Sequence, residues 1–130
     1  MQLRKRNTER AELIDGQIYY MTPPSGKHQR ILGEIYAAIR EYIKDNKGTC
    51  EVDIALFAVF LNENGLDYVE PDISVICDRN KLTEKGCAGS ADWIIEIVSP
   101  GSRTMDYYKK LFDGIRRSKA DKYLINEQCH

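Results

Sequence analysis

Tyr68-Val69-Glu70-Pro71-Asp72-Ile73-Ser74-Val75-Ile76-Cys77-Asp78 and, after a polar stretch, Asp92-Trp93-Ile94-Ile95-Glu96-Ile97-Val98-Ser99 decide how this chain is built. Both segments are rich in Ile and Val and bounded by Asp, Gly, Ser and Pro, the pattern of short strands. Side chains alternate across a strand, so Asp72 shares a face with Glu70 and Ser74, while Val69, Ile73 and Val75 point the other way. Glu96 sits between Ile95 and Ile97, with Ile94 and Val98 on its own face. A carboxylate in such a strand is costly unless it is paired, hydrogen-bonded or bound to a cation. For Asp72 alone, a strand-end acid paired with a nearby Lys is the better explanation, and Glu96 alone could face water at a sheet edge. Together the two acids favour a metal or acid/base site, because one cation satisfies both.

Working outward, the 130 residues are a single-domain length, read as one domain over residues 1–130. The composition, 42% hydrophobic and 30% charged with mean hydropathy -0.49, is that of a soluble globular protein. The longest apolar run, Ile54 to Leu61, is strand-sized and excludes a membrane helix. The charged, polar N-terminus carries no apolar secretion-signal core, so a cytoplasmic location is expected. Cys50, Cys77, Cys87 and Cys129 lack a C-x-x-C spacing and the chain has two histidines, which argues against zinc and for reduced thiols. The formal net charge of -1 gives no global bias toward nucleic acid, although Arg116-Arg117-Ser118-Lys119 is locally basic.

Asp15-Gly16 between Glu12-Leu13-Ile14 and Gln17-Ile18-Tyr19-Tyr20-Met21 spells a hairpin, since that turn needs positive φ at both central positions. Thr22-Pro23-Pro24-Ser25-Gly26 ends it. From Lys27 to Asn46, the helical spacing of Ile31, Leu32, Ile35, Ala38, Ile39, Tyr42 and Ile43 predicts a helix, with Glu34 near the border of its apolar stripe. His28, at the helix start, reads as a packed side chain rather than a ligand, and Glu34 as a solvated glutamate. Cys50 to Leu61, apolar on both faces, predicts a long central strand covered on two sides. Arg79 to Ala91 reads as a loop with at most a helical turn near Leu82 to Lys85. A helix from Arg103 to Arg117 carries Asp106 and Lys110 four apart on one face, an ordinary surface ion pair by themselves. Lys122-Tyr123-Leu124-Ile125 is a final strand.

In this order the chain resembles the Uma2 family of restriction endonucleases, within the PD-(D/E)XK nuclease superfamily. The residues carrying the likeness are Glu12-Leu13-Ile14-Asp15-Gly16, Met21-Thr22-Pro23-Pro24-Ser25 followed by His28, Glu70-Pro71-Asp72-Ile73, Ile95-Glu96-Ile97-Val98-Ser99-Pro100, and Asp106 with Lys110. The resemblance implies an α/β (α+β) fold with a mixed central sheet flanked by helices. It implies Asp72 and Glu96 as metal-binding acids, with the Ile97 carbonyl as a further ligand to Mg²⁺, for which Mn²⁺ could substitute. The superfamily's lysine two residues after the second acid is here Val98; the Uma2 pattern instead has one on the next helix, matching Lys110, with Lys109 adjacent. Glu34 matches a supporting glutamate on the first helix. Gly114, Ser118-Lys119 and Lys122-Tyr123-Leu124-Ile125-Asn126 depart from the family, and its usual C-terminal strands are missing. A sheet edge left so open invites pairing with a second copy, so a homodimer is among the expectations.

The function implied is a Mg²⁺-dependent endonuclease hydrolysing DNA phosphodiester bonds. The alternative is a catalytically inactive nuclease-fold protein that binds nucleic acid or a protein partner, favoured by Val98, the neutral charge and the shortened C-terminus. A two-carboxylate glycosidase is weaker, because the chain's single Trp, Trp93, lies in an apolar strand rather than a sugar-binding cleft.

Overall fold

The computed structural model describes residues 11–14, 16–20, 23–61, 68–98 and 121–126. Strands β1 (Ala11–Ile14) and β2 (Gln17–Tyr20) form the expected hairpin, with Leu13 opposite Ile18 and Gly16 at φ +78°. Helix α1 (Gly26–Asp45) follows; the Ser25 hydroxyl caps it by accepting the His28 N–H. At its far end the Gly48 N–H donates to the Ile43 carbonyl at 2.8 Å, closing the last turn.

The remaining strands are β3 (Glu51–Ile54), β4 (Val59–Phe60), β5 (Tyr68–Val69), β6 (Ile73–Ile76), β7 (Leu82–Thr83), β8 (Gly86–Ala88), β9 (Trp93–Val98) and β10 (Asp121–Asn126). They make two mixed sheets, one ordered β2-β1-β5-β4-β8-β7 and one ordered β10-β9-β6-β3. In the second, β3, β6 and β9 are antiparallel neighbours, and β10 joins β9 in parallel. Such a parallel pair needs a long crossover between its two strands. The architecture is thus the expected mixed α+β, with α1 the helix among the described residues.

Each face of the β6–β9 layer feeds a different core. Ile73, Val75, Ile95, Ile97 and Val52 pack with Leu32 of α1, while Ile76 and Ile94 join Ile14, Val59, Val69 and Cys87 toward the other sheet. Every residue of β6 is therefore buried. Of the predicted helical stripe, Ile31, Ile35, Ile39 and Ile43 flank Leu32 on the first of these cores, whereas Ala38 and Tyr42 are exposed and Tyr36, outside the stripe, packs there instead.

Three expectations are corrected. The run Cys50 to Leu61 is not one central strand: β3 lies at the edge of its sheet, and after a turn at Ala55-Leu56 the chain enters the other sheet as β4. Its two apolar faces arise because Val52 serves one core while Val59 and Leu61 serve the other. The stretch 79–91 is more ordered than a loop, with a 3-10 turn at Arg79–Lys81 and the antiparallel pair β7 and β8. Cys50 and Cys77 form a disulfide rather than staying reduced. The register explains it, because Glu51 pairs with Ile76 and the two cysteines are the next residues outward on their strands. The helix expected over 103–117, with Asp106, Lys109 and Lys110, lies outside the described residues.

Gly86 is fixed by a close approach. It holds φ +140°, and a Cβ there would lie 2.2 Å from the Ala58 carbonyl oxygen, the same oxygen that accepts the Cys87 N–H. Gly86→Ala is therefore expected to destabilise the fold by about 1–3 kcal/mol from the backbone conformation alone, with the steric clash adding to that. Urea unfolding of the variant checks this through its midpoint.

Candidate functional site

The site forms where the chain crosses from β5 to β6. Glu70-Pro71-Asp72 breaks the strand pattern, and its backbone must find partners away from the ladders. Two glutamates supply them: Glu12 Oε2 accepts the Glu70 N–H at 2.7 Å, and Glu96 Oε1 accepts the Asp72 N–H at 2.9 Å. Pro71 between them has no N–H to satisfy.

The second acid answers the first. Asp72 Oδ2 accepts the Ile97 N–H at 2.8 Å, so Asp72 and the Glu96-Ile97 pair are joined by two reciprocal hydrogen bonds. The register places them opposite each other, since Ile73 faces Ile95 on the antiparallel β6–β9 pair. Asp72 and Glu96 are 2% and 3% exposed, so both expected acids are brought together and buried. A third group reaches the same oxygen, with His28 Nε2 lying 3.1 Å from Asp72 Oδ2.

A cavity of about 220 Å³ opens beside Asp72, lined by that residue, Pro24, Gln29, Leu32 and the turn residues Ile54, Ala55 and Leu56. The Ala55 N–H donates to the Asp72 carbonyl at 3.1 Å, which fixes this turn against the acid. One wall is therefore the first turns of α1, and the other is the turn that carries the chain between sheets.

The donor chemistry suits a hard divalent cation. Two buried carboxylates lie together, one of them, Asp72, at the wall of a cavity, and Mg²⁺ commonly takes one or two protein carboxylates and keeps several waters. Among the described residues no group of three or more His, Cys, Asp or Glu side chains is disposed to hold a metal. Both hydrogen bonds to the Asp72 carboxylate fall on Oδ2, which leaves Oδ1 for a ligand role. For Ile97 the contact that fixes Asp72 is its N–H; its carbonyl is the expected metal ligand. Glu34 is exposed, about 200° around the helix from Leu32, and is not drawn into this arrangement.

Thiol chemistry has no place here. Burial pushes the Cys87 thiol up from its ordinary value, partly countered by Lys81, and its Sγ donates to the Gly89 carbonyl at 3.4 Å. A buried thiol held protonated is a poor nucleophile.

A third carboxylate is strained by its surroundings. Asp53 stands opposite Ser74 in the β3–β6 register, yet Asp53 Oδ2 and Ser74 Oγ are both buried with no hydrogen-bond partner. Burial, with Glu51 adding repulsion, raises the Asp53 carboxyl above its ordinary 3.8. The folded chain then holds this proton more tightly than the unfolded chain, so stability falls as pH rises from 3.8 through the raised value. Asp53→Asn is expected to remove that part of the decline and to raise the melting temperature at neutral pH. Thermal melts of both proteins across the acid-to-neutral range check this by the gap between the two curves, which should widen with pH.

The sequence singles out Asp72 and Glu96, which the fold brings together; it gives little weight to His28, which is 6% exposed and reaches Asp72, and no role to Glu12, which is 1% exposed. The signal for His28 was present in Pro24-Ser25-x-x-His28, where a capping Ser fixes the residue three places on at the first turn.

Two mixed sheets, an N-terminal helix and a buried acid pair at the junction of antiparallel strands define a restriction-endonuclease-like α+β protein. The chain belongs to the Uma2 family, described as "Putative restriction endonuclease", whose model matches residues 1–127. It is 28% identical over 109 residues to the uncharacterized protein slr1290 of Synechocystis sp. (strain ATCC 27184 / PCC 6803 / Kazusa), a match covering 82% of this chain. The chain spans about half of that relative's length, 54%. A crystal structure from Anabaena variabilis ATCC 29413, described as "a putative nuclease belonging to DUF820", superposes with a TM-score of 0.71 at 25% identity. That superposition covers 91% of this chain and 66% of the other.

Proposed function

We propose that this chain is a metal-dependent endonuclease that hydrolyses DNA phosphodiester bonds. The observation that carries the reading is the reciprocal pair of hydrogen bonds that holds Asp72 and the Glu96-Ile97 pair together in the interior, with a cavity beside Asp72. Asp72, Glu96 and the Ile97 carbonyl would hold Mg²⁺ or Mn²⁺. Such an ion, when bound, makes a water more nucleophilic and offsets charge developing on the phosphate.

The chain's own residues do the rest. The Ile97 N–H and His28 hold one oxygen of Asp72, so the carboxylate is oriented before any ligand arrives. Lys110, or Lys109 beside it, would donate to a non-bridging phosphate oxygen or orient the attacking water. The family and the Anabaena neighbour favour nucleic acid as the substrate, and the exposed Ile54 and Leu56 give the cavity an apolar lip against which a sugar or base could rest. Ile18 and Tyr20, 55% and 68% exposed on the edge strand β2, favour pairing with a second copy as a homodimer. No described helix is long and apolar enough to cross a membrane.

A second reading, a catalytically inactive nuclease-fold protein that binds nucleic acid or a partner, is favoured by Val98 in place of the superfamily lysine. One experiment separates the two. Purified protein is incubated with supercoiled plasmid in Mg²⁺, in Mn²⁺ and in EDTA. Nicking or linearisation that needs the metal supports the endonuclease, whereas intact plasmid accompanied by a mobility shift supports the binding protein.

A further inference from the structure

We infer that His28 is a positioning residue that locks the Asp72 carboxylate in its metal-binding orientation, an assignment that rests on the metal site proposed above. A packed histidine usually satisfies itself on a backbone carbonyl or on water. Here the ring is 6% exposed, and its Nε2 lies 3.1 Å from the oxygen that also accepts the Ile97 N–H. Two donors on one oxygen leave the carboxylate no freedom to rotate about its last bond, which presents Oδ1 as the ligand atom.

The backbone of His28 is anchored and its ring is held on both nitrogens. The ring leaves the backbone at the first turn of α1, where the His28 backbone N–H donates to Ser25 Oγ at 3.0 Å. Its Nδ1 lies 3.0 Å from Gln29 Oε1. Its Nε2 is the atom on Asp72. An ionised carboxylate only accepts, so Nε2 carries the hydrogen. A half-turn of the Gln29 amide lets its NH₂ donate to a bare Nδ1, so the neutral Nε2–H tautomer satisfies both contacts. His28 thus works as a fixed donor, not as a base and not as a ligand, because its reaching nitrogen is already committed. Supporting contacts of this kind orient carboxylates and imidazoles at metal sites, and losing one weakens metal affinity by about 10–100-fold.

The test is Mn²⁺ affinity of the intact protein, read by calorimetric titration and by the electron paramagnetic resonance signal of free Mn²⁺, without DNA. His28→Phe keeps the ring and removes the donor; it is expected to bind Mn²⁺ about 10–100-fold more weakly than wild type. His28→Gln places an amide N–H near the position of Nε2 and is expected to recover most of the affinity. His28→Asn, whose amide reaches only as far as Nδ1, is expected not to. Circular dichroism and thermal melts confirm that the compared variants are folded, and should His28→Phe not fold, the Gln and Asn variants carry the test. Unchanged affinity in folded His28→Phe, or equal affinity in the Gln and Asn variants, overturns the positioning role. If wild type and Asp72→Asn alike bind no Mn²⁺, the metal site itself fails and this role with it; wild-type binding with an indifferent position 28 removes this role alone.

Discussion

Asp72→Asn is expected to lower Mg²⁺-dependent plasmid cleavage by about 10²–10³-fold while leaving the melting temperature unchanged or higher. The two effects separate because Asp72 serves structure and chemistry through different properties. Its structural work is to accept the Ile97 N–H and the His28 contact at Oδ2, and an asparagine carbonyl oxygen can accept both. Its chemical work is to present negative charge to a cation, which an amide cannot do. Stability has little to lose, because a carboxylate 2% exposed carries a desolvation cost that the amide avoids. Initial cleavage rates and thermal melts of the same preparations check both halves. Retained cleavage would remove Asp72 from the site, and a collapsed melting temperature would show that it is mainly structural.

Ile73→Ala is expected to show the opposite profile, destabilising the fold by about 2–5 kcal/mol. Ile73 is fully buried, faces Ile54 on one neighbouring strand and Ile95 on the other, and packs in the core shared with Leu32. It is central to a four-stranded sheet, with little room for its surroundings to collapse. A domain of this size has about 5–15 kcal/mol in total, so the loss is a large fraction. Ile73 also adjoins Asp72, so activity should fall with it, but only under conditions where the fold has loosened. Urea unfolding checks this: the midpoint should drop with little change in slope. A shift below about 1 kcal/mol would mean that the β6 core is less tightly packed than the buried surface indicates.

The features legible in the sequence were those set by local rules. Asp15-Gly16 marked the hairpin, because the turn demands positive φ and Gly16 has it. The stripe from Ile31 to Ile43 marked α1 to within a residue at each end, because one apolar face recurring every third or fourth residue needs no knowledge of its partner. Asp72 and Glu96 were visible because each is an acid where its neighbours are apolar.

What stayed hidden depended on which residues meet across the fold. Cys50 and Cys77 carry no spacing motif, and only the β3–β6 register makes them neighbours. The break at Ala55-Leu56 has no Gly or Pro to announce it, and a run apolar on both faces looks the same whether one sheet or two bury it. His28 meets Asp72 across a separation of 44 residues, and Glu12 meets Glu70 across 58. In these cases the residue types were right and the partners could not be read.

The most direct measurement is a crystal of this protein soaked in Mn²⁺ and recorded for anomalous scattering. A peak within about 2.2 Å of carboxylate oxygens from both Asp72 and Glu96, absent in crystals of Asp72→Asn, is the expected result. Two well-ordered carboxylates with no peak between them, in crystals that take up Mn²⁺ elsewhere, would contradict the metal site on which the nuclease reading stands.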